Sequence, residues 1–371
     1  MREKTDVLII GGGMAGISAA ARLSEHVNVT VLEGEADLGY HSTGRSAAIF
    51  IRNYGNATLR ALNIASEPVL MQADGISEHS LLSPRGEILV ATAQDMPALE
   101  TYLDSADGME LLSPIEAGKL VPILNTERLV GAAIEHSAQE IDVDRMLQGF
   151  ARLALAQGAK IIRNAKVTAC HKSGGIWQIE TTQGNFEAPV VINAAGAWAD
   201  EVAQMAGVAQ KGLVGMRRSM AVIPAPEGYD ISKWPLFAAA SENFYCKPSS
   251  GTLMISPADE DPVDPHDVWA DDMVLAEGLD RFEQAVTMSV TRVLHSWAGL
   301  RTFAPDRTPV VGFDPQADGF FWLAGQGGYG IQTAPALAKL VTNLIVKTQP
   351  DLGEDVIAAL SPERFQQRKP K

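Results

Sequence analysis

Short apolar runs alternate with amphipathic stretches along most of this chain. Runs rich in β-branched and aromatic residues, bounded by Gly, Pro or Asn, predict strands over 6–10, 29–32, 87–91, 131–136, 160–162, 177–182, 190–194, 219–223, 244–248, 252–256, 295–301, 309–313 and 320–324. Apolar positions at helical spacing predict helices over 17–23, 58–73, 96–105, 114–120, 144–157, 198–206, 272–286 and 333–347. Strand–helix–strand pieces of parallel type open the chain, return over 145–198 and close it over 316–350. Runs of antiparallel character fill the gaps. The order predicts an α/β (α+β) fold. One Rossmann-like nucleotide domain is assembled from 1–85, 141–210 and 301–371, and an antiparallel-sheet domain is inserted as 86–140 and 211–300.

The opening unit carries the first chemistry. The strand over 6–10 runs into Gly11-Gly12-Gly13-Met14-Ala15-Gly16, an Ala-rich helix follows, and the second strand ends before Glu33. Gly11 permits a tight turn, Gly13 lets a pyrophosphate approach bare backbone, and Gly16 lets helix and strand pack closely. The helix start offers free N–H groups and the positive end of a dipole to phosphates. Glu33 can accept from a ribose diol. Arg2 and Lys4 before an apolar run also fit the start of a secretion signal, but three glycines inside the run and an immediate second strand argue against one.

Composition narrows the function classes. The 371 residues exceed one small core, and 46% hydrophobic with 20% charged residues is globular. A net charge of -15 disfavours nucleic acid as a partner. Cys170 and Cys246 lie far apart and form no CxxC, and the seven histidines show no metal-ligand spacing and most read as surface or cap residues. No apolar stretch reaches the length of a membrane span. Cysteine use points to a reducing compartment. The expected setting is the cytoplasm, with peripheral association at the inner membrane as the other, and the expected state a monomer or small homo-oligomer. The stretch 257–272, with seven acids and three prolines, reads as a solvated loop.

Several motifs stand together: Gly-Tyr-His-Ser-Thr-Gly-Arg-Ser-Ala-Ala over 39–48, Val-Val-Ile-Asn-Ala-Ala-Gly-Ala-Trp over 190–198, Trp-Ala-Gly-Leu-Arg over 297–301, and Gly-Gln-Gly-Gly-Tyr-Gly-Ile-Gln-Thr over 325–333. Leu-Leu-Ser-Pro-Arg85, Arg217-Arg218 and Phe244-Tyr245-x-Lys-Pro accompany them. The set resembles the FAD-dependent D-amino acid oxidase (DAO) family, which includes glycine and sarcosine oxidases. Within it the pattern looks most like the bacterial dehydrogenases of D-arginine.

The resemblance implies FAD, held non-covalently, in a flavoprotein of glutathione-reductase type. Some relatives attach flavin through a Cys just after the equivalent of Arg301, where this chain has Phe303. Besides Gly11, Gly13, Gly16 and Glu33, it assigns Ala15, Gly34, Ser42, Thr43, Arg45, Ser46, Ala47 and Ala48 to the nucleotide and flavin. Val167 meets adenine and Gly196 lies beside the nucleotide. Gly328, Gly330, Ile331 and Gln332 precede the helix from Thr333, whose N-terminus would stabilise charge on a reduced flavin.

For the substrate, the resemblance implies that Arg218 and Arg301 grip its carboxylate and that Tyr245 adds a hydrogen bond. Arg217 is expected to point away. Tyr54 lies on a mobile lid, Gly328 and Ile49 touch the substrate, and Glu87 faces a cationic tail. Glu87 paired with Arg85 or Arg301 is the other reading. Ile49 and Ile51 replace His and Thr of the nearest pattern, which makes the pocket drier. The implied reaction is oxidative deamination of a D-arginine- or D-lysine-like amino acid. Hydride passes from Cα to flavin N5, giving an imino acid, then a 2-oxo acid and ammonia, with a quinone or other acceptor taking the electrons. No general base is required; Tyr54 and Tyr245 are the nearest candidates. The alternatives are oxidation of a secondary amine (glycine-, sarcosine-, opine- or proline-like) and a flavin subunit of an electron-transfer complex.

Overall fold

The strands with the most continuous apolar runs line up first. In the computed structural model, which describes residues 2–366, a six-stranded sheet has the order Lys160–Ile162, Val29–Leu32, Val7–Ile10, Val190–Asn193, Phe320–Ala324, Val310–Phe313. Its first five strands are parallel and the last is antiparallel. The central strands are apolar at both parities because both faces are covered. Helices Met14–Leu23, Ala57–Gln72, Val143–Ala156 and Gly330–Val346 pack on one face. On the other lies a four-stranded sheet, Glu3–Lys4, Gly184–Ala188, Ile176–Thr181 and Val167–Ser173, contributing Trp177, Ile179 and Phe186. Ala19, Ala20 and Ala21 are wholly buried, and their small side chains let Met14–Leu23 nest among its neighbours.

A nine-stranded sheet forms the second layer. From one end it runs Met109–Leu112, Gly131–Glu135, Glu87–Ala91, Leu236–Ala239, Tyr245–Ser249, Thr252–Ser256 and Val214–Pro224. Asp261–Val263 shares the edge of Val214–Pro224 with Thr252–Ser256, and His295–Phe303 takes the other edge. Period-two alternation splits it into two faces. Ile88 and Val90 enter a core with Phe237, Phe244 and Phe282. Leu89 and Ala91 turn the other way, with Leu236 and Ala238.

Several elements differ from expectation. The strand expected over 219–223 runs Val214–Pro224, because Arg217 and Arg218 interrupt the apolar pattern while each is satisfied by carboxylates. Met109–Leu112, Val167–Ser173, Gly184–Ala188 and Leu236–Ala239 are strands with no local sequence signal strong enough to mark them. The last long helix begins at Gly330 instead of Thr333. The stretch 257–272 is not simply solvated: Asp259 is buried and takes both the N–H and the hydroxyl of Ser219, at 2.6 and 2.7 Å.

Candidate functional site

A cavity of about 410 Å³ opens where the parallel strand ends meet the second sheet. Its deep wall is the first turn. Gly11 has φ +114°, and a Cβ there would lie 2.3 Å from the Ala194 carbonyl oxygen. A Cβ on Gly16 would lie 2.0 Å from the Gly11 carbonyl oxygen, so this glycine serves helix–strand packing and does not line the cavity. A Cβ on Gly13 would meet only Thr43 Oγ1, at 3.4 Å, and would otherwise occupy the cavity. Ala15, Glu33 and Gly34 line the same wall. Glu33 accepts the Gly12 N–H at 2.7 Å and the Glu35 N–H at 2.8 Å, which fixes it while leaving lone pairs for a diol.

The segment 42–47 forms the next wall, and it is tied to the second sheet. Ser42 Oγ donates to the Leu300 carbonyl at 2.6 Å, and Arg45 Nη1 to that of Ala298 at 2.9 Å. Thr43 Oγ1 accepts the Met14 N–H at 3.0 Å. Ser46 and Ala47 also line the cavity; Ala48, at φ +57°, does not. Lys247, buried, donates to the Ala47 carbonyl at 2.8 Å and to Glu140 at 2.7 Å, and Arg85 holds the other Glu140 oxygen at 2.7 Å. Burial opposes charge on Glu140, but hydrogen bonds from Lys247 and Arg85 outweigh it and hold the carboxyl below its usual range. Burial also lowers Lys247.

At the far end Val167 and Gly196 line the cavity together with His41 and Trp198. The His41 ring lies 4.6 Å from that of Trp198, and Nε2 is 3.0 Å from Glu35. His41 is thus not one of the surface or cap histidines. Both residues stand inside the motifs over 39–48 and 190–198, which is where a signal for them existed. Gly328, Gly330 and Ile331 form the opposite wall at the start of helix Gly330–Val346. Neither this helix nor Met14–Leu23 has a side-chain cap from its own N-cap residue, whereas Asn56, Asp142 and Asp271 cap theirs. Two such helix starts facing one cavity, with the space at Gly13, fit a long dinucleotide carrying negative charge.

Sheet register explains the arginine-lined end of the cavity. Arg218 lies opposite Gly299 and Met216 opposite Arg301, so Arg218 and Arg301 share a face. Arg217, opposite Leu300, turns to the other face and pairs with Asp261 at 2.7 Å. Tyr245 lies on the cavity face beside Ala238, which is in register with Leu89.

Arg301 is half-buried. Its Nη1 donates to the Tyr54 hydroxyl at 3.2 Å, and no carboxylate among the described residues lies within ion-pair distance. Burial opposes its charge, but Tyr54 and Tyr245 more than offset that and raise its pKa. A Cβ on Gly328 would come within 3.0 Å of Arg301 Nη1, so the guanidinium occupies the space a side chain would take. Arg218 differs: its Nη2 donates to Glu260 at 3.0 Å.

Tyr54, Ile49 and Glu87 do not line this cavity; Tyr54 and Ile49 contact residues that do, Arg301 and Tyr245. The Tyr54 ring lies 4.6 Å from that of Tyr329. Its segment is pinned by Asn63 Nδ2, which donates to the carbonyls of Ile51, Arg52 and Tyr54. Gln332, assigned to the flavin in sequence, instead holds Ile51 from both sides, accepting its N–H at 3.1 Å and donating to its carbonyl at 3.2 Å. Ile49 packs with Leu89, Ala238, Tyr102 and Tyr245. Glu87 is 7% exposed and lies opposite Glu135. Burial first, then Glu135 and Glu242, push its carboxyl up to about 8. Neither Arg85 nor Arg301 pairs with it.

A family model described as DAO, FAD dependent oxidoreductase, matches residues 6–344. Mitochondrial sarcosine dehydrogenase of Mus musculus is 26% identical over 382 residues, covering 93% of this chain and 40% of that protein. Mitochondrial dimethylglycine dehydrogenase of Homo sapiens is 24% identical over 391 residues, covering 98% of this chain and 45% of that protein. The chain therefore spans less than half the length of each. The crystal structure of glycine oxidase from Geobacillus kaustophilus has the same fold, with TM-score 0.82 at 23% identity over 97% of this chain and 98% of that one. These relatives do not single out the D-arginine dehydrogenases that the motif set suggested. The match runs from the strand Val7–Ile10 into the last long helix, over a cavity that fits a dinucleotide, and the chain belongs to the DAO family of FAD-dependent oxidoreductases, with FAD as its cofactor.

Proposed function

We propose that the protein oxidises a carbon–nitrogen bond of a small amino acid with one carboxylate, with glycine- and sarcosine-like amines first. The observation that carries this is Arg301, a half-buried guanidinium on the cavity wall with a tyrosine hydroxyl beside it and no carboxylate of its own. Its planar fork suits one carboxylate. Tyr245 lines the cavity and the Tyr54 hydroxyl stands beside Arg301, while Ile49, Leu89 and Ala238 form an apolar cluster packed around Tyr245 outside the lining. Oxidation needs the neutral amine, the form whose lone pair assists loss of the hydride. When bound, FAD accepts two electrons and a proton from the carbon beside the amine, and water hydrolyses the resulting imine. Arg301 orients that carbon, and orientation supplies much of the rate.

Gly11, Gly13 and Ala15, Glu33 and Gly34, and the segment 42–47 would hold the nucleotide, with Val167 and Gly196 at adenine. Cys170 and Cys246 are buried and neither lines the cavity, which supports a non-covalent flavin. A quinone or another acceptor would take the electrons; a peroxide assay separates this from reaction with O₂. The names of the sarcosine and dimethylglycine relatives support small N-methylated substrates over D-arginine. Glu87 on the same sheet face as Leu89 favours a cationic side chain as the second reading, but its carboxyl must first ionise.

Anaerobic mixing with glycine, sarcosine, dimethylglycine and a panel of D- and L-amino acids tests the proposal. The yellow absorbance should bleach with the small amines. Bleaching only with D-arginine or D-lysine, or with none of the panel, would overturn it.

A further inference from the structure

The second arginine of the cavity already holds a carboxylate. Arg218 donates from Nε to the Asp259 carbonyl at 2.8 Å and from Nη2 to Glu260 Oε1 at 3.0 Å. The backbone there is anchored, because Asp259 takes the N–H and hydroxyl of Ser219. Glu260 also accepts from Arg307 Nη2, at 2.9 Å on Oε1 and 3.0 Å on Oε2. The Arg307 guanidinium stands 3.9 Å from the centre of the Phe303 ring, and this residue lies outside the cavity lining. The charges run cation, anion, cation from the cavity wall outward.

This order has a consequence for any anion that enters. A carboxylate fixed on Arg218 cancels much of that arginine's attraction and repels a second carboxylate. Arg301, by contrast, has no carboxylate within ion-pair distance among the described residues, and Glu260 acts on it only at longer range. The two arginines are therefore not an equal clamp. We propose that Glu260 is a resident competitor for Arg218, and that Arg307 draws its charge outward when a substrate carboxylate enters. The pair thereby sets affinity and restricts the site to monocarboxylates. Of these two arginines, Arg301 is the one without a carboxylate partner among the described residues, and a second carboxylate on the ligand would meet the charge of Glu260 behind Arg218. This inference rests on the carboxylate-substrate reading above.

Glu260→Gln keeps an acceptor oxygen for both arginines and removes the charge. The measurement is binding of acetate, malonate and acetamide to the FAD-loaded protein, followed by perturbation of the flavin absorbance. Glu260→Gln should tighten acetate several-fold and malonate more, and leave acetamide unchanged. Arg307→Met, which leaves Glu260 wholly to Arg218, should weaken acetate. Acetate binding that is weakened or unchanged in Glu260→Gln would overturn the proposal and make Glu260 a support for Arg218. So would an equal shift for all three ligands. The readout needs no turnover. Failure of every amine to bleach the flavin would count against the proposed function alone, and a wrong sign in the acetate series against the competitor alone.

Discussion

The two ends of the cavity are built by different means. At the nucleotide end the recognising groups are mostly backbone: Gly11 at positive φ, the bare Gly13, and two helix starts whose own N-cap residues supply no side-chain cap. At the arginine-lined end they are charged side chains. Arg218 has Glu260, and behind the lining Arg217 has Asp261 and Lys247 shares Glu140 with Arg85. Of the two arginines in the lining, Arg301 is the one without a carboxylate partner among the described residues. Backbone recognition follows from chain geometry and tolerates no added atoms. Side-chain recognition depends on which charges are left over, and it can be retuned by a single residue.

The comparison breaks most visibly at the glycines. Gly13→Val should give a folded, colourless protein, because the new side chain fills the cavity while meeting only Thr43 at the Cβ. Gly16→Val should fail to fold, since its Cβ would lie 2.0 Å from a backbone oxygen. Absorbance spectra and thermal melts of the two variants separate these outcomes. Two equally folded colourless proteins would remove the distinction drawn between them.

Arg301→Ala should leave the flavin bound and raise KM steeply, by a loss of about 2–5 kcal/mol in carboxylate binding. Steady-state kinetics with normal KM would exclude Arg301 from the clamp.

Glu87 comes next, through pH. The folded protein keeps a proton on Glu87 up to about 8, while the unfolded chain releases it in the ordinary carboxylate range. Stability from this group is therefore full at low pH and is lost as pH rises toward 8. Glu87→Gln should flatten that slope and raise stability above pH 8 by a few kcal/mol, on the order of 2–4. Denaturant melts across pH check it. For substrate choice the sign is opposite: a cationic side chain should be accepted better above pH 8, where Glu87 is charged. Glu87→Leu should abolish that rise and favour apolar side chains. An unchanged substrate profile would exclude Glu87 from substrate choice.

The smallest effect is expected at Gln332→Leu. Losing both bonds to Ile51 should loosen the 51–54 segment and cost about 1–3 kcal/mol in stability, with FAD retained. Loss of flavin from a well-folded variant would return Gln332 to the cofactor.

How legible each end was in sequence follows from the same contrast. Gly11, Gly13, Gly16 and Glu33 lie within one local unit, so spacing alone located them. The opposite orientations of Arg217 and Arg218 follow from the two-residue period of a strand. The pairings were not legible, because they join distant segments. Nothing near Asp259 announces Ser219, and a run of acids and prolines resembles a solvated loop until the strand beside it is known. His41 carries no ligand spacing, yet the fold sets it against Trp198. Gln332 sits in a glycine-rich turn motif, but the helix starts at Gly330 and turns its side chain toward Ile51. Substrate choice was least legible, since Glu87 depends on burial and on Glu135 across the sheet.

The most direct measurement compares sarcosine with sarcosinamide under anaerobic mixing. The two differ in the charge that Arg301 would hold and keep the same amine. Sarcosine should bleach the flavin and sarcosinamide should not, within the same time and concentration. Equal bleaching by the amide would mean that the unpaired guanidinium does not select the substrate.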